Sequence, residues 1–239
     1  MDGSEIVLSL RAVRKDYHSL RPLRVERFEL RRAETVALLG VDRAAAEVLV
    51  NLVTAATLPD AGDVDVFGVP TRDITDPDAW LRLLDRFGIL SERVVLLDEL
   101  TVEQNLVLPL SLELHDIPPD ISRTVTQLAD ESGIAASVLA EPMARVDAMT
   151  RARVRLAKAL APGPQVLLAE HPNASLAPTD AGRFASDLSG IAAQRGLAML
   201  VLTADAAFAH AACSRVMALA PATGRLEPPW GWRWWRGRG

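Results

Sequence analysis

Residues 35–68 read TVALLGVDRAAAEVLVNLVTAATLPDAGDVDVFG. An apolar run from Thr35 to Leu39 stops at Gly40, and an Ala-, Leu- and Val-rich stretch occupies 43–56. A short apolar run bounded by glycine predicts a buried strand, and the longer run predicts a helix. The same alternation returns later: QVLLAEHP at 165–172, a helical pattern at 178–195, LAMLVLTAD at 197–205 and VMALA at 216–220. Strand, helix and strand in this order predict a mainly parallel α/β core.

Two further regions complete the plan. IVLSLRAVRKDYHSLRPLRVERFELRR, ahead of Thr35, alternates apolar and polar residues in short runs, the pattern of antiparallel strands. Pro59, Asp60, Ala61 and Gly62 supply a turn before one more strand, and RFGILS at 86–91 predicts another. A mostly helical stretch from about 101 to 161, interrupted by Pro118 and Pro119, sits between strands of the core. The expectation is therefore one domain over 1–227. Its parts are the core sheet, an antiparallel β subdomain and an inserted α-helical subdomain at about 93–160.

Composition excludes some functions. The 239 residues carry a net charge of −5, which argues against nucleic acid as a partner. The single cysteine, Cys213, forms no internal disulfide, as expected of a reducing cytoplasm. The N-terminus lacks the basic start and apolar run of a signal peptide, and no apolar run reaches the length of a membrane span.

The strand–Gly–helix segment has the frame of a phosphate-binding loop, G-x-x-x-x-G-K-[ST], beginning at Gly40. The pattern requires Gly, Lys and Ser or Thr at 45, 46 and 47, where this chain has Ala45, Ala46 and Glu47. Ala46 removes the cation that neutralises phosphate, and Glu47 puts a carboxylate where a hydroxyl would meet Mg²⁺. Ala45 makes a left-handed loop conformation costly. Arg43 either replaces the missing lysine in part or is a solvated loop arginine.

The whole stretch, and most of residues 5–227, resembles the nucleotide-binding subunit of an ATP-binding cassette (ABC) transporter, a P-loop NTPase fold. The resemblance lies in spacing, and it assigns roles position by position. Tyr17, in VRKDY, matches the aromatic that stacks on adenine; its other reading is a tyrosine on a half-exposed strand. Glu92, in GILSERVVLLDELT, falls at the Q-loop glutamine, as a Mg²⁺ ligand or as one of several surface charges. DELTVEQNLVLPL at 98–110 is most similar to cassettes of the lipoprotein-release and macrolide-efflux type.

VDAMT at 146–150 replaces the signature LSGGQ, and Asp147, ionised, does not donate to phosphate. Its alternative role is the N-cap of a helix beginning near 148. Glu170 and His171 replace the Walker B Asp-Glu pair; His171 stands at the general base and is otherwise a structural histidine. Asn173 and Ala177, in PNASLAP, match positions where the family has Thr and the D-loop Asp. Ala204 replaces the switch histidine, with Asp205 after it, and His210 reads as an ordinary helix residue.

The resemblance implies ATP and Mg²⁺ as ligands and a permease and a second cassette as partners. It also implies a cytoplasmic location at the inner face of the plasma membrane. The substitutions imply weak ligand binding if any, no resident metal and no catalytic residue. The expected role is a non-catalytic cassette subunit of a transporter complex. The alternatives are an ATPase running on Glu170, His171 and Arg43, and a soluble interaction protein that kept the fold. The segment 228–239, PPWGWRWWRGRG, places Trp230, Trp232, Trp234 and Trp235 among three arginines, a composition suited to a membrane surface or a partner.

Overall fold

The computed structural model describes residues 5–228. The expected contact through Trp230, Trp232, Trp234 and Trp235 lies outside the described residues.

The N-terminal region forms β1 (Ile6–Lys15) and β2 (Leu23–Arg31), paired antiparallel. With β4 (Ala61–Val66) and β5 (Val69–Pro70) they make a sheet of order β2-β1-β4-β5. The second sheet has the order β10-β9-β3-β8-β7-β6. Its strands are β3 (Thr35–Leu39), β6 (Phe87–Ser91), β7 (Val166–Glu170), β8 (Ala198–Leu202), β9 (Arg215–Ala220) and β10 (Arg225–Glu227). Strands β9, β3, β8, β7 and β6 run parallel, and β10 is an antiparallel edge. The α/β core and the antiparallel β subdomain are as the sequence predicts.

The central parallel strands are mostly apolar because both faces are covered. Val36, Leu38, Val166, Leu168, Leu200 and Leu202 point into one core, shared with the antiparallel sheet and with α1 (Arg43–Val53). Ala37, Leu167, Ala169, Met199 and Val201 point into the other, beneath the helices. These helices are α3 (Val102–Val107), α4 (Pro119–Glu131), α5 (Ala148–Leu160), α6 (Pro178–Arg195) and α7 (Ala206–Ala212).

The helical stretch expected at 101–161 is thus three helices with 3₁₀ turns at Ala136–Val138 and Met143–Arg145. Pro119 opens α4 at its first turn, where a missing N–H costs nothing. The sequence reading missed α2 (Pro77–Leu84), whose signal was present: Asp76 caps it by accepting from Ala79 N, and Pro77 opens it. Helix α1 stops at Val53, three residues short of the expected end at 56, because Ala55 takes φ +56°.

Arginines and one glycine fasten the helical insert. Arg195 Nε and Nη2 each donate to Glu131 at 2.5 Å, and Nη1 reaches Leu160 O at 3.1 Å, joining α4, α5 and α6. Strand β6 lies directly on α5: a Cβ on Gly88 would sit 2.4 Å from Ala159 O. That contact sets the height of the chain leaving β6, which carries Glu92 and Arg93. Among the described residues no helix is long and apolar enough to cross a membrane.

Candidate functional site

The carboxyl ends of β3, β6 and β7 open onto one cleft of about 380 Å³, lined by Arg43, Ala44, Glu47, Ser91, Glu92, Arg93, Glu170 and His171. Ligands of open parallel sheets bind at this end of the strands. The site therefore follows from topology before any motif is consulted.

Gly40 leaves β3 with φ +82°, and a Cβ there would come within 2.9 Å of Leu219 O. Only Val41 and Asp42 separate it from α1, which begins at Arg43. A phosphate loop of the usual pattern would still be open at 44. Here Asp42 caps the helix, its Oδ1 accepting the Ala45 N–H at 2.8 Å. The helix N-terminus is a natural seat for an anion. In this chain its own carboxylate is already there.

The early start of α1 also decides which residues face the cleft. Ala45 and Ala46 are buried in the core, Ala46 completely, while Arg43, Ala44 and Glu47 line the opening. Arg43 is consequently not a loop residue: it is the first residue of the helix, largely exposed, with Nη2 3.4 Å from Glu92 Oε2. Glu92 is likewise not a free surface charge, since this pair spans the mouth of the cleft.

Arg93 is the residue that sequence reasoning missed. Its Nη1 lies 3.0 Å from Glu47 Oε1, and its Nη2 and Nε lie 2.6 and 3.1 Å from Glu170 Oε2. Its backbone N–H donates to Ser91 Oγ at 3.1 Å. The Glu170 side chain is only 6% exposed, and a buried carboxylate needs such a partner. The only prior signal was adjacency to Glu92 in the sequence SER, which does not disclose a partner on β7. Counting formal charges, two arginines face three glutamates, so the cleft carries one net negative charge.

His171 follows Glu170 with φ +44°, an uncommon conformation for a side-chain-bearing residue. Its N–H donates to Leu202 O at 2.8 Å, and its Nε2 is buried without a partner among the described residues. Asn173 Nδ2 donates to Asp205 Oδ2 at 2.9 Å, while Asp205 Oδ1 caps α7 by accepting from Phe208 N at 3.0 Å. These two residues tie the turn after β7 to the start of α7. Ala204, just before the cap, is exposed and brings no functional group.

Tyr17 and Asp147, like Gly40, Ala45, Ala46 and Ala204, do not line this cleft. Tyr17 is half-buried, packed against the core shared by the antiparallel sheet, two residues beyond the end of β1. Asp147 is the N-cap of α5, its Oδ1 accepting from Thr150 N at 2.7 Å. The bonds from Thr150 hold its carboxyl below the ordinary aspartate range. Cys213 is buried, which pushes its thiol up to about 12 and leaves it unreactive. Among the described residues no three His, Cys, Asp or Glu side chains are placed closely enough to hold a metal ion together.

No protein-family model matches the chain. The phosphonates import ATP-binding protein PhnC of Anaeromyxobacter dehalogenans is 32% identical over 219 residues, which is 89% of this chain and 43% of that protein. The methionine import ATP-binding protein MetN of Carboxydothermus hydrogenoformans is 25% identical over 189 residues, 79% of this chain and 55% of that protein. The chain thus spans about half the length of these curated relatives. Among solved structures, cbiO1 of Clostridium perfringens, part of the ABC transporter complex cbiONQ, superposes with TM-score 0.78 at 18% identity, covering 93% of this chain and 87% of that one. The dimeric bacterial ABC transporter cassette MJ0796 gives TM-score 0.74 at 19% identity, covering 88% of this chain and 93% of that one. In fold the chain is an ABC cassette of the P-loop NTPase class, and in sequence its relatives are the ATP-binding subunits of ABC transporters.

Proposed function

We propose that this chain is a non-catalytic cassette subunit of an ABC transporter complex, a structural or regulatory partner of a permease and a second cassette. The observation that carries the proposal is the cleft itself. Asp42 caps the helix where a phosphate would be held, Ala46 faces the core, and Arg93 holds Glu47 and Glu170. Phosphoryl transfer relies on positioned cations and on a metal between phosphate oxygens. A cleft of net negative charge with its carboxylates already paired repels a nucleoside triphosphate rather than orienting it. ATP and Mg²⁺ are therefore weak ligands on this reading.

The names of the relatives favour an importer, PhnC and MetN both being import ATP-binding proteins. Partnership with a permease and with another cassette is supported by cbiO1, part of a transporter complex, and by the dimeric MJ0796 cassette. The location that follows is the cytoplasmic face of the membrane. The tail of four tryptophans and three arginines would add a contact with anionic lipid, tested by co-sedimentation of the full chain and of a chain ending at residue 227 with anionic vesicles.

The test of the proposal is steady-state ATP turnover by the purified chain and by His171→Ala. Both are expected at buffer background, because Ala46 supplies no cation to the phosphates and Arg93 already engages the Glu47 and Glu170 carboxylates. Turnover above background that falls on His171→Ala makes the imidazole a working base and removes the proposal.

A further inference from the structure

We propose that Arg93 is a built-in counter-ion for the Glu47–Glu170 pair, so that the chain itself latches the cleft and Mg²⁺ has no part in holding it. The inference rests on the non-catalytic reading and adds a mechanism to it.

Three elements distant in sequence meet at one guanidinium. Glu47 comes from α1, Glu170 from the end of β7, and Arg93 from the chain leaving β6. The fork is divided between them: Nε and Nη2 serve Glu170 Oε2, and Nη1 serves Glu47 Oε1. A guanidinium is always charged and its donors are fixed in a plane, so it can bridge two carboxylates as a point charge cannot. Glu170 is buried, which separates this contact from the ordinary surface pairs of the molecule, such as Arg27 with Glu29, whose arginine is largely exposed.

A divalent cation joining α1 to β7 would need these same two carboxylates. Arg93 occupies them with no ligand to be acquired or lost. The second pair, Arg43 with Glu92, crosses the same mouth and draws the Arg93 segment toward α1. The elements around the cleft are thus joined in the free chain.

The experiment is thermal unfolding of the purified chain, of Arg93→Gln and of Arg93→Gln/Glu170→Gln, each without metal and with millimolar MgCl₂ or MnCl₂. The natural chain is expected to melt at the same temperature in all three conditions. Arg93→Gln should melt roughly 5–10 °C lower, since a buried carboxylate has lost its partner. Mn²⁺ should restore part of that loss by bridging the freed carboxylates. The double variant should melt above Arg93→Gln and show no metal response, because the buried charge is gone. Should Arg93→Gln not fold, a folded double variant still carries the proposal. Stabilisation of the natural chain by either metal overturns it. So does an Arg93→Gln that melts unchanged, or a double variant less stable than the single. These readings use metal alone, whereas the non-catalytic reading would fall to ATP turnover, so the two failures are distinct.

Discussion

Ala46→Lys, the substitution that rewrites the phosphate-loop lysine, is expected to lower the melting temperature and to leave ATP turnover at background. Ala46 is fully buried among residues of α1 and both sheets, and it does not line the cleft. A lysine there overfills a packed core and carries an ammonium into it. A cost of about 3 kcal/mol is expected, and each kcal/mol moves the melting point of a domain of this size by about 2–4 °C, for a drop of about 6–12 °C. Turnover is not expected to appear, because Glu47, Asp42 and Arg93 still hold the site, and groups that act together are not restored singly. Circular dichroism melting with an ATPase assay reads both quantities. A variant as stable as its parent and able to turn over ATP would show that position 46 reaches the cleft.

Gly88→Ala is expected to have an effect of similar size from the opposite side of the site. Its Cβ would lie 2.4 Å from Ala159 O and 3.1 Å from Pro164 Cγ, and the backbone of α5 has nowhere to retreat. Strand β6 must lift off the helix, at a cost of roughly 3 kcal/mol, or about 6–12 °C in melting temperature. The lift also displaces Arg93, five residues on, from Glu170. Gly190→Ala is the control. Gly190 is exposed within α6 and an added Cβ meets nothing within 4 Å. Alanine there should stabilise by about 0.5–1 kcal/mol through the unfolded chain. Differential scanning calorimetry of the two variants separates contact from propensity: equal melting points would contradict the packing of β6 on α5.

Much of the fold was legible in the sequence because of where the strands lie. The middles of β3 and β7 and the whole of β8 are covered on both faces, so they are apolar and announce themselves as short runs. β5 and β10 span two and three residues and carry no such pattern. The sequence reading missed helix α2 although Asp76-Pro77 marks its start, because only Leu83 of its eight residues is buried. At the site, the phosphate-loop frame and the resemblance pointed to Glu47, Glu92 and Glu170, which line the cleft, and Asp147 takes the capping role its sequence suggested.

What spacing withheld was register and partnership. The motif frame treated 45 and 46 as loop positions although the apolar run predicted a helix from 43; α1 does begin at Arg43, and its register turns both alanines into the core. Arg93 contacts residues that lie 46 positions before and 77 positions after it in the chain. No local pattern encodes such a pairing. The same holds for Asn173 with Asp205, which brace the turn after β7 against the start of α7.

Calorimetric titration of the purified chain with MgATP tests most directly whether the cleft is closed to nucleotide. With Asp42 at the helix N-terminus and Arg93 on both carboxylates, no saturable heat is expected below millimolar nucleotide. A saturable isotherm with micromolar affinity would correspond to about 8 kcal/mol of binding free energy and would contradict the account.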